Sequence, residues 1–427
     1  MKVKIIDYDF KGRGLAKTDQ GLVFVDKAVI GDLLEVIVTK KTKKYANAKI
    51  AKIIDPSEDR VEAKCPYFKK CGGCDFLNYD YKKQIEWKKD KLIQDLKRIA
   101  AISKIDKKLD KSIYMDQGYK YRNNIQLKVR ENKIGYFSKD SNEFVPIKTC
   151  LLAEDPINQA IKALNEINNF YNITDLVIRS NYKGELMVIL IADGKIKNTN
   201  TILNKLLDLK LVSLYENINT NKRFRYGKNF RKIYGQDKIV DKINDLEFEI
   251  SPQSFFQINR QQTEKLYNLA IDYLDPKEED KILDLYCGVG SISLSAAEKS
   301  GEVLGVEILE EAIKNARKNA IINKIENANF VAEKSENIIE KISEKYQGIN
   351  KIILDPPRSG LHKDLVEELL ESKNIEKIVY ISCNPATQAR DLKKLKEKYE
   401  IENISLVDMF PNTVHVECIA LIQRVKL

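Results

Sequence analysis

Apolar positions in the first fifty-five residues fall in short β-prone runs, at 3–6, 21–25, 33–38 and 46–54, punctuated by Gly12, Gly14, Gly21 and Gly31. Short strands of this kind bury their edges by closing into a small barrel. Residues 81–99 change period, and Ile85, Leu92, Leu96 and Ile99 share one helical face. Residues 118–250 mix strands at 125–129, 176–178 and 186–191 with a helix at 155–170. From residue 261 helix and strand alternate. A helix over 261–274 precedes strands at 281–286, 302–307, 328–331, 351–354 and 377–382, with two more at 404–409 and 415–421. Helices near 291–297, 309–319 and 363–372 lie between them. This alternation predicts a doubly wound sheet. The expected architecture is multidomain: an N-terminal small β-barrel at 1–55, a central α+β domain at 56–250, and a C-terminal α/β doubly wound domain at 251–427.

Composition adds a partner class. Hydrophobic residues make up 43% of the chain, enough for real cores. No run of eighteen apolar residues occurs and residues 1–5 lack a secretory apolar region, so a cytoplasmic location without membrane contact is expected. The formal net charge of +10 favours a polyanion. Residues 1–50 carry eleven Lys/Arg against six Asp/Glu, and residues 81–111 eleven against five. A basic barrel can grip single-stranded nucleic acid, or serve only for packing. Residues 222–234 interleave six cations with four aromatics, which suits backbone neutralisation plus base stacking; two facing strands of a hairpin have the same composition. With two histidines, a His-rich metal site is nearly excluded, and seven cysteines argue against a disulfide framework.

Three motifs carry chemistry: Asp284-Leu-Tyr-Cys-Gly-Val-Gly290, Asp355-Pro-Pro-Arg358 and Ser382-Cys-Asn-Pro385. Each follows a strand-like run, which places it at the sheet edge where open α/β folds bind ligands. Asp284, Tyr286, Gly288 and Gly290 form a compact loop that is neither GxGxxG nor a P-loop. Glu307 ends the next strand, where a carboxylate can accept from ribose hydroxyls. NAD and S-adenosylmethionine share those hydroxyls; a loop with no pyrophosphate to cradle suits S-adenosylmethionine better. Cys383 is either a nucleophile or a buried structural thiol, and its polar, turn-like flanks favour exposure. A thiolate adding to carbon 6 of a uracil makes carbon 5 nucleophilic towards a sulfonium methyl, and a base must then remove the carbon-5 proton. Cys383, Glu417 and Asp355 can fill the posts of nucleophile, base and pyrimidine-edge partner. In the first half, Cys65-x5-Cys71-Gly-Gly-Cys74 is followed seventy-six residues later by Cys150, a set that suits a [4Fe–4S] cluster or zinc. Cys287 and Cys418 are expected to be non-ligands.

Together with His415-Val-Glu417 and Ser254-Phe-Phe-Gln-Ile-Asn259, these motifs resemble the RNA uracil-5-methyltransferases, and among them the 23S ribosomal RNA enzymes that carry an iron–sulfur cluster. Residues 1–55 resemble a TRAM domain, an RNA-binding barrel. The resemblance implies Cys383 as nucleophile, Glu417 as base and Asp355 on the uracil edge and beside the cofactor. It also implies Gln257 as a cofactor or substrate contact, and iron–sulfur rather than zinc on Cys65, Cys71, Cys74 and Cys150. The implied activity is S-adenosylmethionine-dependent formation of 5-methyluridine in structured 23S ribosomal RNA, on a flipped uridine, with no required protein partner. The alternatives are a tRNA T-loop uracil-5-methyltransferase and a non-catalytic RNA-binding or assembly protein.

Overall fold

The computed structural model describes residues 1–425 except 103, 140 and 336–347. The first sheet runs in the order Lys2–Lys4, Leu33–Lys41, Tyr45–Asp55, Gly21–Val25, Gly14–Thr18, Asp7–Tyr8. Its two end strands belong to one stretch of chain. Lys2–Lys4 bonds to Leu33–Lys41, and Asp7–Tyr8 to Gly14–Thr18. Residues 2–8 therefore roll the sheet into a small barrel and leave little open edge. Val3, Ile5, Val23, Val25, Leu34 and Val36 fill it, at alternating positions of their strands.

A central seven-stranded sheet spans Asn124–Arg130 to Phe230–Gly235. Helices Asp155–Leu164 and Thr199–Leu206 cover one face. The other face presents Val177, Met187, Ile189 and Ile191 to the hairpin Ile239–Ile243/Leu246–Ile250 and to helix Arg260–Leu274. Strand Leu186–Ala192 is buried along its whole length, which explains its unbroken apolar run. The basic, aromatic segment at 222–234 ends in the edge strand Phe230–Gly235, paired antiparallel with Leu211–Ile218. Two of its cations are engaged, Arg231 with Glu216 and Lys232 with Asp237, while Phe224 stays exposed.

The third sheet has the order Ala328–Ala332, Glu302–Glu307, Lys281–Leu285, Ile349–Leu354, Lys377–Ser382, Glu417–Arg424, Tyr399–Val407, Leu109–Ile113. The first five strands are parallel. Strand order reverses between Lys281–Leu285 and Ile349–Leu354, the topological switch point at which such sheets open a crevice. Helices Arg260–Leu274, Ser291–Ala297 and Glu310–Ile322 cover one face, and Tyr81–Arg98, Lys363–Glu371 and Pro385–Leu395 the other. Helix Tyr81–Arg98 buries Ile85, Leu92 and Leu96 as its period predicts, but against this distant sheet. Lys88, on the same helix, is fully buried and pairs with Asp408 at 2.6 Å. No helix among the described residues is long and apolar enough to cross a membrane.

Candidate active site

Strand direction gathers the chemistry-bearing residues. Asp284 lies one residue before the end of Lys281–Leu285, and Glu307 ends Glu302–Glu307. Asp355 follows Ile349–Leu354, and Cys383 follows Lys377–Ser382. Glu417 reaches the same edge by another route. It begins Glu417–Arg424, which runs antiparallel to Lys377–Ser382 with Cys418 opposite Ser382. An antiparallel strand starts where its parallel neighbour finishes, so Glu417 arrives beside Cys383.

On the cofactor side the loop backbone is left-handed at Tyr286 (φ 70°), Gly288 (φ 56°) and Gly290 (φ 81°). A side chain at Gly288 would meet nothing within 4 Å, so this flank is open for a ligand. At Gly290 a Cβ would lie 2.9 Å from the Phe330 ring, which leaves room only for glycine. Asp284 is fully buried; the Ser293 hydroxyl donates to Oδ2, while Oδ1 has no partner among the described residues. Burial pushes this carboxyl up to about 8, with Asp355 and Glu307 adding and the Ser293 bond opposing. Glu307 Oε1 accepts the Leu309 N–H at 3.0 Å. The buried Tyr267 hydroxyl lies 2.9 Å from Ser291 Oγ, and the Gln257 carbonyl accepts from Asn123 Nδ2 at 3.0 Å. The Arg179 guanidinium, buried in the central sheet, donates to the Ser254 carbonyl at 2.8 Å and so fixes the segment that carries Gln257. An orphaned carboxyl oxygen, an open glycine flank and a carboxylate at the next strand end fit a cationic, ribose-bearing ligand such as S-adenosylmethionine.

On the reaction side Cys383 is half-buried, not sealed behind packing. Burial pushes its thiol up to about 11, Glu417 and Asp355 add to this, and Arg358 opposes it. Burial also holds Asp355 up at about 7. Glu417 is 7% exposed, and burial together with Asp355 keeps it well above the usual carboxylate range against the pull of Arg358. Arg358 thus faces both groups. Its carbonyl accepts from Asn384 Nδ2 at 3.1 Å and Thr387 Oγ1 at 3.3 Å, and its guanidinium lies 3.5 Å from His415 Nδ1. It bridges the Cys383 turn and the approach to Glu417. Burial, then Arg358, lowers His415 to about 4, so this ring is neutral at pH 7. A thiol, two carboxyls able to carry protons near neutrality and one cation suit nucleophilic addition followed by proton removal.

The expected iron–sulfur or zinc site on Cys65, Cys71, Cys74 and Cys150 is not supported. These cysteines line one cavity with Phe68, Leu77, Ile147, Leu152 and Arg122. Yet among the described residues no three His, Cys, Asp or Glu form a group able to hold a metal ion. A [4Fe–4S] cluster and a metal-binding role are therefore withdrawn. Cys287 and Cys418 are buried, and the Cys418 thiol bonds to Gln388 Oε1 at 3.1 Å.

The sequence profile of the family described as tRNA (Uracil-5-)-methyltransferase matches residues 80–425, and that of the TRAM domain matches residues 1–51. The chain belongs to the uracil-5-methyltransferase family. Full-length relatives agree. An "Uncharacterized RNA methyltransferase" of Clostridium tetani is 37% identical over 433 residues, covering 96% of this chain and 93% of the relative. Another from Clostridium acetobutylicum is 36% identical over 451 residues, covering 99% and 97%. Among solved structures, the Pyrococcus abyssi tRNA (uracil-54, C5)-methyltransferase in complex with S-adenosyl-L-homocysteine superposes with a TM-score of 0.79 at 27% identity, covering 99% of this chain and 100% of that one. This uracil-5-methyltransferase is thus an S-adenosylmethionine-dependent enzyme acting on RNA through a cysteine thiolate.

Sequence reasoning missed several parts of the methyltransferase site. Ser293 and Arg179 hold Asp284 and Ser254, and nothing local in the sequence marks them. Arg358 closes the Asp355-Pro-Pro-Arg358 run and had no role in the sequence reading; a cation directly after a paired proline was the available signal.

Proposed function

We propose that this enzyme methylates carbon 5 of a uridine in a loop of structured RNA, with Cys383 as nucleophile, Glu417 as base and Asp355 on the pyrimidine edge. The observation that carries the reading is a half-buried cysteine and a buried carboxyl brought to one sheet edge by oppositely directed strands. Asp284, Tyr286, Gly288, Gly290, Glu307 and Gln257 would hold S-adenosylmethionine. Cys383 gives its proton to the Asp355 carboxylate as its sulfur adds to carbon 6, and the electron pair of the carbon 5–carbon 6 bond moves towards oxygen 4. Asp355, near half-ionised at pH 7, can hold the proton on the pyrimidine edge. When bound, S-adenosylmethionine supplies an electrophilic methyl that carbon 5 takes as the sulfonium bond breaks. Glu417 then removes the carbon-5 proton, the ring double bond re-forms, and the carbon 6–sulfur bond breaks to free Cys383. The target base has to leave its stack first, at a cost of a few kcal/mol that is least in a loop.

The substrate class follows from two different supports. A tRNA uridine is favoured by the Pyrococcus abyssi relative, whose name specifies uracil-54 of tRNA. A 23S ribosomal RNA uridine is favoured by the motif resemblance. Incubation with labelled S-adenosylmethionine and each RNA separately, followed by mapping of 5-methyluridine, decides between them. Label on tRNA supports the first. Label only on 23S RNA overturns it and keeps the chemistry, and label on neither sinks the proposed activity.

A further inference from the structure

Asp75 follows Cys74 and is remote in sequence from the sheet edge, yet its side chain links the segment before Glu417 to the central sheet and the barrel. Oδ2 accepts the N–H of Val414 at 2.9 Å, three residues before Glu417. Oδ1 pairs with the Lys139 ammonium, next to the central sheet. The same ammonium donates to the Lys11 carbonyl in the barrel. The barrel turn packs so closely here that a Cβ on Gly12 would sit 2.9 Å from Asp75 Cβ. The Asp75 side chain is only 10% exposed.

The loop that delivers Glu417 is bound from outside along its length. The carbonyls of Met409, Phe410 and Pro411 accept from Asn259 at 3.1 Å, Lys88 at 3.1 Å and the Tyr121 hydroxyl at 3.0 Å. The Asn412 carbonyl accepts the N–H groups of Asp75 and Phe76 at 2.9 and 3.2 Å. Gln84 exchanges bonds with Asn412 at 3.1 and 3.2 Å. The Val414 bond adds a side-chain tie to this series, close to the point where the strand carrying Glu417 begins. Its acceptor is also the group that reaches the barrel and the central sheet. Small displacements of a base are costly to proton transfer.

We propose that Asp75 is a positioning residue that sets Glu417 through Val414 and couples that placement to the barrel and central sheet. The inference rests on the reading of Glu417 as the base. It is tested by single-turnover reactions with RNA, following S-adenosylhomocysteine formation and release of RNA from the covalent adduct separately. In Asp75→Ala, methyl transfer should stay within about twofold while release slows about tenfold, so a gel-stable protein–RNA band accumulates. Asp75→Asn, which keeps an acceptor for Val414, should recover most of the release rate. Release at the wild-type rate in Asp75→Ala overturns the proposal, and so does an equal loss in both steps, the mark of a merely structural role. Should Asp75→Ala fail to fold, Lys139→Met serves instead: slowed release with intact transfer supports the proposal, and unchanged release overturns it. Glu417→Gln run in parallel separates the two readings. Free turnover in Glu417→Gln removes the base assignment, whereas a stalled Glu417→Gln beside a normal Asp75→Ala removes only the role of Asp75.

Discussion

Cys74 and Cys383 are both kept on the thiol side by burial, but their neighbours differ. Around Cys74 the next influences are Cys150 and Cys71, with Arg122 opposing, and Phe68, Leu77, Ile147 and Leu152 line the cavity. Around Cys383 stand two carboxyls and Arg358, and the sulfur is half-buried at a sheet edge. Burial by itself makes a thiol inert. Burial beside groups that exchange protons makes a reactive one. The fold rather than the residue type separates the two.

The largest effect should come from Cys383→Ala, which is expected to reduce methyl incorporation at least about a thousandfold while calorimetry shows S-adenosylmethionine still bound. Undiminished methylation would erase the distinction between the two cysteine regions. Glu417→Gln should slow product release by about 10²- to 10⁴-fold and leave RNA covalently attached on a denaturing gel. Because Glu417 is held above the usual carboxylate range, wild-type release should speed up as pH rises and this carboxyl ionises. Arg358→Gln removes the cation that favours the thiolate. Alkylation of Cys383 by iodoacetamide, followed by mass spectrometry at pH 8, should fall about tenfold, with its midpoint displaced above about 11. A midpoint displaced downward would reverse the assigned electrostatics. The smallest effect belongs to Cys74→Ala. Loss of one half-buried sulfur should cost about 1 kcal/mol in urea unfolding and leave the rate of methyl transfer nearly unchanged. A fall in transfer as deep as that of Cys383→Ala would break the comparison.

The strands of the C-terminal sheet were legible because each is an apolar run closed by a motif. Lys281–Leu285 and Lys377–Ser382 lie within a residue of the ranges expected from pattern alone. Four of the six barrel strands were legible from their glycine punctuation; Asp7–Tyr8 and Gly14–Thr18 were not. The cysteine spacing misled, because spacing reports which thiols could meet but not whether they converge on one ion. Strand Leu109–Ile113 was not foreseen. It adds to the far edge of a sheet whose other strands begin at residue 281, pairing in parallel with Tyr399–Val407. The helix at 81–98 lies in a strongly basic stretch, yet Lys88 lies fully buried against Asp408.

By itself the sequence settled what repeats locally: the alternation of helix and strand, the glycine loop that closes the first parallel strand, and the thiol that follows the fifth. These depend on side-chain periodicity and turn chemistry within a few residues. Tertiary structure alone decided that Glu417 meets Cys383, through an antiparallel return strand, and that Asp75 and Lys88 hold the loop before it. The two loop ties join residues more than 300 positions apart, as the 320-residue separation of Lys88 and Asp408 illustrates. Buried ion pairs and loop ties of this kind gain their strength only once the sheets have packed and water is excluded. Before that packing they leave no periodic trace in the chain.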